Sequence, residues 1–250
     1  MVTLAFGWTL VCAPSSWALR SAASALEGSV APVSPAEFIP IAEESGLIVP
    51  MTRWLVSEVC CQLGTWGRDG LACVPVSINL DATSLQSDGL IAAVEQALAA
   101  TGLPPSAIEF EVTESSLMRD LERASRMLQN LRALGIKLSI DDFGTGYSSL
   151  TYLKRFPVDV LKIDRSFIQD LTTDASDAAL TTAIIAMGRS LKLELVAEGV
   201  ETWEQAHFLS QRGCHLVQGF LFARPLPSNE FADLLEFGLP GNRAPFDHSI

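Results

Sequence analysis

Basic residues are scarce in this chain: 17 Lys and Arg stand against 29 Asp and Glu, for a net charge of −12. That excludes nonspecific duplex nucleic acid as a partner, because phosphate backbones need a basic face. An anionic ligand stays admissible where metal ions and a few Lys or Arg residues line its pocket. Histidine is scarcer still. His207, His215 and His248 are the whole set, and they form no H-E-x-x-H or related zinc spacing. No C-x-x-C occurs among Cys12, Cys60, Cys61, Cys73 and Cys214, and an odd count of five predicts reduced core thiols and a cytoplasmic protein. No uninterrupted apolar run reaches about 18 residues, so no membrane span is expected. Residues 1–19 are uncharged and Ala23-Ser24-Ala25 has the small-residue pattern of a cleavage site, but no basic segment precedes them, so export is not expected.

What is present is a long, apolar, regular chain. Its 250 residues are 48% hydrophobic and only 18% charged, so acids at particular positions are not overflow from a charged surface. Residues 1–32 differ in texture and read as a divergent N-terminal segment. A single barrel-type domain is expected over 33–237, and residues 238–250 read as a loose tail. Ser34-Pro35-Ala36-Glu37 is an N-cap serine, a proline at the first helical position and a nearby acid. Helix is expected over 52–66 through Trp54, Leu55, Val59 and Leu63, and then over 86–100, 119–134, 147–155, 175–191, 203–212 and 228–237. Strands are expected at 73–79, 108–113, 137–142, 159–164, 193–198 and 215–222. Strand–helix alternation of this kind gives a parallel sheet. No phosphate-binding glycine fingerprint follows the first strand, which favours a barrel over an open doubly wound sheet.

The strands share one feature: each runs into polar groups. Asn79 follows Ser77-Ile78; Glu111 and Glu114 follow Phe110; Asp141-Asp142 follow Ile140. Lys162 and Asp164 end the fourth strand, Glu198 and Glu201 the fifth, Gln218 the sixth. In a parallel α/β barrel those ends form the reactive rim. Carboxylates gathered there repel one another unless cations bind between them, so a divalent-metal site is the natural inference. Lys162 and Asp164 share a strand face by the period of two, and a lysine there needs acids around it. Asp141-Asp142 is followed by Phe143, Gly144, Thr145 and Gly146, whose glycines would let the loop move over a substrate. Asp142-Phe143-Gly144 alone does not make a protein kinase, because no H-R-D motif, β3 lysine or upstream glycine loop accompanies it. A glycosidase with paired carboxylates is a weaker reading, since adjacent acids with a lysine favour metal and phosphate over sugar.

The ordered series Ser34-Pro35-Ala36-Glu37-Phe38-Ile39-Pro40, Ser77-Ile78-Asn79-Leu80, Glu111-Val112-Thr113-Glu114-Ser115, D-D-F-G-T-G-Y-S-S-L from Asp141, Lys162-Ile163-Asp164, Ala197-Glu198-Gly199-Val200-Glu201 and Gln218-Gly219-Phe220 resembles EAL domains over Val33 to Leu235. The resemblance implies a modified TIM (β/α)8 barrel that hydrolyses cyclic di-GMP to linear pGpG with Mg²⁺ or Mn²⁺. It implies that Asn79, Glu111, Asp141, Asp142, Asp164 and Glu198 hold metal, and that Lys162 positions the attacking water, with Glu198 as a candidate base. It gives Glu114 the role of anchor for the loop from Phe143 through Thr145 and Gly146, Glu201 a substrate or loop contact, and Gln218 a water contact. The family also admits a homodimer. One departure stands out. The glutamate of the family's Glu-Ala-Leu motif should fall at Ser21 and the following arginine at Ala25, and a shift of one puts Arg20 at the glutamate's metal position. That leaves two expectations, an impaired phosphodiesterase or a degenerate module that binds cyclic di-GMP or a protein partner without turnover.

Overall fold

The structure is a computed structural model that describes residues 35–144, 155–224 and 226–237. The expected cap Ser34, the divergent segment 1–32, the loop residues Thr145 and Gly146, most of the expected helix 147–155, and the tail lie outside the described residues.

Helix α1 spans Pro35–Ser45 and α2 spans Ile48–Arg68, with Gly46 in a left-handed conformation between them. Helix α2 buries Leu55, Val56, Val59, Cys60, Leu63 and Trp66, which recur every three or four residues as one stripe. Trp54 falls off that stripe and is exposed, against the expectation that it packs inward. The thiol expectation divides in the same way: Cys60 and Cys214 are buried, whereas Cys61 and Cys73 are free and exposed. Burial holds the Cys60 and Cys214 thiols protonated, pushed up to about 11 and about 12.

Six parallel strands follow: β1 (Val76–Leu80), β2 (Ile108–Thr113), β3 (Lys137–Phe143), β4 (Val160–Ile163), β5 (Glu194–Ala197) and β6 (Leu216–Val217). They pair in sequence order, β1 to β6. Such consecutive winding, with described helices in the connections β1–β2, β2–β3, β4–β5 and β5–β6, is the α/β arrangement of a TIM-type barrel. Between β1 and β2 lie α3 (Ala82–Leu85) and α4 (Leu90–Thr101). After β2 come α5 (Glu114–Met118) and α6 (Leu121–Ala133). Helices α7 (Ser166–Gln169) and α8 (Ala175–Ser190) follow β4, α9 (Trp203–Gln211) follows β5, and α10 (Ser228–Phe237) closes the described chain. No helix among the described residues is long and apolar enough to cross a membrane.

The strand pattern divides the sheet's faces. Val76, Ile78, Ile108, Phe110, Val112, Leu138, Leu161 and Ile163 are buried in the apolar core. The alternate positions Ser77, Glu109, Glu111, Ser139 and Lys162 are buried polar residues. The register keeps them on one face, since Ser77 faces Glu109, Asn79 faces Glu111, and Glu111 faces Ser139. A row of buried polar groups on one sheet face needs partners, and ionic contacts to Lys137 and Lys162 supply part of them.

Candidate active site

The site is built around Lys162. Burial to 1% exposure would by itself lower this lysine's pKa, but Glu111, Glu198 and Asp141 outweigh that and hold it above the ordinary lysine value. Its Nζ lies 2.8 Å from Glu111 Oε2 and 3.3 Å from Asp141 Oδ1, and it also pairs with Glu198. Strands β2 and β3 and the residue just past β5 therefore send one carboxylate each to one ammonium on β4. Glu111 itself is buried, which raises its pKa; Lys162 opposes this and Asp141 adds to it. One of its oxygens, Oε1, is buried with no hydrogen-bond partner among the described residues.

Two adjacent acids on a strand ordinarily point to opposite faces. Here the chain breaks that alternation. The β3–β4 register shifts between Ile140 and Phe143, and Asp142 takes a left-handed φ of 54°. An extra residue inserted in one strand is a bulge, which re-aims side chains, and Asp is one of the few non-glycine residues that tolerates that conformation. As a result Asp141, Asp142 and Glu198 offer ligand oxygens within 4.8 Å of one another. Burial, then the charges of Asp141 and Asp164, raise the Asp142 carboxyl to about 6. Glu198 is pushed up to about 7 by burial, with Lys162 pulling it down and Asp141 pushing it up. Carboxylates that rise this far although one ammonium, Lys162, stands among them, beside an orphaned buried carboxylate oxygen, suit a hard divalent ion with oxygen ligands.

The remaining expected residues lie on the same strands and the loops that follow them. Asn79 is half-buried at the end of β1, directly opposite Glu111 in register. Asp164 stands just past β4, close enough to Asp142 to raise its pKa, and its Oδ1 accepts a hydrogen bond from Ser166 N. Glu114 opens α5 behind its cap Thr113. Phe143 is buried, and Gly144 has φ +100° with Phe167 against the place where a Cβ would be. Glu201 is exposed on the loop after β5. Gln218 accepts a hydrogen bond from Val200 N through its backbone, while its side-chain Oε1 is buried with no partner among the described residues. Gly219 lies so close to the neighbouring loop that a Cβ would sit 2.0 Å from Val200 O. Sequence reasoning passed over Gln205, a buried amide joining the loop after β5 to helix α7; its one local signal is the Thr202-x-x-Gln205 capping box.

Comparison with known proteins identifies this arrangement. Residues 19–225 match the family model described as EAL domain. The chain belongs to the EAL domain family. It is 48% identical over 198 residues to the bifunctional diguanylate cyclase/cyclic di-GMP phosphodiesterase MucR of Pseudomonas aeruginosa, covering 79% of this chain and 29% of that protein. It is 46% identical over 201 residues to the signaling protein YkoW of Bacillus subtilis, covering 80% of this chain and 25% of that one. The EAL chain thus spans between a quarter and three-tenths of the length of these curated relatives. Among solved structures, the MucR phosphodiesterase in complex with c-di-GMP superposes with a TM-score of 0.76 at 46% identity, covering 82% of this chain and 83% of that one. The Klebsiella pneumoniae BlrP1 manganese/cy-diGMP complex gives a TM-score of 0.62 at 34% identity, covering 69% and 45%.

Proposed function

We propose that this EAL chain hydrolyses cyclic di-GMP to linear pGpG with Mg²⁺ or Mn²⁺. The observation that carries the reading is the buried Lys162 held between Glu111, Asp141 and Glu198 at the strand ends, with Asp142 beside them. Relatives named for cyclic di-GMP hydrolysis, and a similar structure described as a manganese/cy-diGMP complex, support the substrate and the metal. Asn79, Glu111, Asp141, Asp142, Asp164 and Glu198 would hold the cations. Bound there, divalent ions lower the pKa of a water and offset phosphodiester charge.

The chain's own groups divide the remaining work. Glu198, just past β5 and paired with Lys162, is the candidate base for the attacking water. Lys162 holds three carboxylates in fixed positions and meets negative charge as it develops. The Oε1 of Gln218, which has no partner among the described residues, is an acceptor for a water or a nucleotide N–H. Glu114, which opens α5, would anchor the loop that begins at Phe143 and Gly144, and Glu201 would contact the substrate or that loop. The catalytic unit in this reading is residues 33–237, acting in the cytoplasm, alone or as a homodimer.

One observation favours the second reading, a module that binds cyclic di-GMP or a protein partner without turnover: Ser21 and Ala25 stand where the family's first motif places a glutamate and an arginine. Replacing residues 1–32 with a strand bearing Glu-Ala-Leu tests between the two. The enzyme reading expects measurable pGpG from the natural chain and a rise of about 10-fold or more in the graft, the scale on which a metal site responds to its surrounding groups. Cyclic di-GMP binding with no pGpG from either protein would leave only the binding module.

A further inference from the structure

The loop after β5 carries Glu198 and Glu201, and its far end is fastened by a residue that the proposed chemistry does not use. Gln205, in the first turn of α9, is 5% exposed. Its Oε1 accepts from Glu201 N at 2.8 Å and Thr202 N at 3.0 Å. Its Nε2 donates to Ile168 O at 3.0 Å and Gln169 O at 3.3 Å. The first pair belongs to the Glu198–Thr202 loop. The second pair lies at the end of α7, the short helix that begins two residues after Asp164.

A helix cap explains only half of this arrangement. Thr202 and Gln205 form a capping box, and glutamate serves equally well there because the box needs only an acceptor. The bonds to Ile168 and Gln169 need a donor on the same side chain, which an amide has and a carboxylate lacks. The near end of the loop is fixed separately, by Glu198 N donating to Ile163 O and Val200 N to Gln218 O. Only Gln205, among the described residues, has side-chain hydrogen bonds joining the far end of the loop to the helix behind Asp164.

We infer that Gln205 is a positioning residue: it ties the loop bearing Glu198 and Glu201 to α7, and so sets how the acids contributed by β4 and β5 stand relative to one another. The kinetic part of this inference rests on the phosphodiesterase reading; the structural part does not. Two variants test it. Gln205→Glu keeps the acceptor for the cap and loses the donor to α7, while Gln205→Met loses both. Thr181→Val serves as control, because it removes a different buried bond to α7, the one to Phe167 O at 3.0 Å.

Amide exchange over residues 198–202 in the metal-free protein should quicken in both Gln205 variants and stay unchanged in Thr181→Val. In protein that turns over cyclic di-GMP, both Gln205 variants should lose about 10-fold or more in kcat with KM little changed, the size expected for a group that orients a metal ligand. Thr181→Val should lose melting temperature without losing kcat. A Gln205→Glu protein with wild-type loop exchange and wild-type kcat would show that the residue is only a helix cap and would overturn the inference. If the unmutated chain makes no pGpG, it is the phosphodiesterase reading that fails. Loop exchange and Mn²⁺ affinity then decide: faster exchange with weaker Mn²⁺ binding in Gln205→Glu supports the clamp, and no change in either overturns it.

Discussion

Replacing Lys162 by Met separates what the lysine does for the fold from what it does for chemistry. The side chain is 1% exposed and touches Glu111, Asp141 and Glu198. Removing one partner of a buried ionic cluster leaves uncompensated charge and costs about 3–5 kcal/mol. For a chain of this size each kcal/mol moves the melting temperature by about 2–4 °C, so the metal-free variant should melt about 6–20 °C below wild type. The loss has an upper limit, because Glu111 and Glu198 already have raised pKa values and take up protons in place of the lost ammonium. The deficit should therefore shrink in mild acid. Saturating Mn²⁺ should recover part of it by supplying positive charge to the same carboxylates. Turnover should not recover: kcat for cyclic di-GMP should stay about 100-fold or more below wild type, the scale of losing one electrostatic donor. Melting curves with and without Mn²⁺, paired with pGpG formation well below the melting temperature, read both effects. A Lys162→Met protein with wild-type kcat in saturating Mn²⁺ would refute the catalytic role, and one with an unchanged metal-free melt would refute the electrostatic one.

Protons and Mn²⁺ compete for the same acids. Asp142 at about 6 and Glu198 at about 7 lie above ordinary carboxylate values of about 4, so between about pH 4 and 7 the metal-free fold holds protons that the unfolded chain has released. Metal-free stability should fall as pH rises through that window, while the Mn²⁺-induced gain in melting temperature should grow. An equal Mn²⁺ gain at both ends of the window would contradict the assignment. Asp141→Ala should abolish most of the Mn²⁺ heat in calorimetry, and a wild-type isotherm from that variant would exclude Asp141 as a ligand. Gly219→Ala should destabilise the chain by about 1–3 kcal/mol, because the new Cβ meets the Val200 backbone rather than a yielding side chain; an unchanged melt would show that the two loops separate easily.

Much of the fold was legible because single elements carry their own punctuation. The strand at 108–113 and the helix at 228–237 stand where the pattern put them. Boundaries shifted where side-chain caps cut in. Asp81 caps a separate short helix before α4, Thr113 caps another, α5, ahead of the expected helix 119–134, and Asp120 starts that expected helix as α6. The expected strand 215–222 shrinks to Leu216–Val217, because beyond it the hydrogen bonds of Gln218 and Leu221 pass to the loop at Val200. In the site, the pairing of Lys162 with acids followed from strand periodicity and the cost of burying a lone cation. The convergence of Asp141 and Asp142 did not follow, because alternation separates neighbours and only the bulge at Asp142 reunites them. Gln205 was passed over because its role depends on a contact with Ile168 and Gln169, some 36 residues earlier in the chain.

The central claim is tested most directly by incubating the natural chain with cyclic di-GMP and Mn²⁺ and separating the nucleotide products. The account predicts linear pGpG that accumulates with time, stops on addition of a chelator and is absent with Asp142→Ala. Cyclic di-GMP that binds at saturating Mn²⁺ yet remains intact would contradict it.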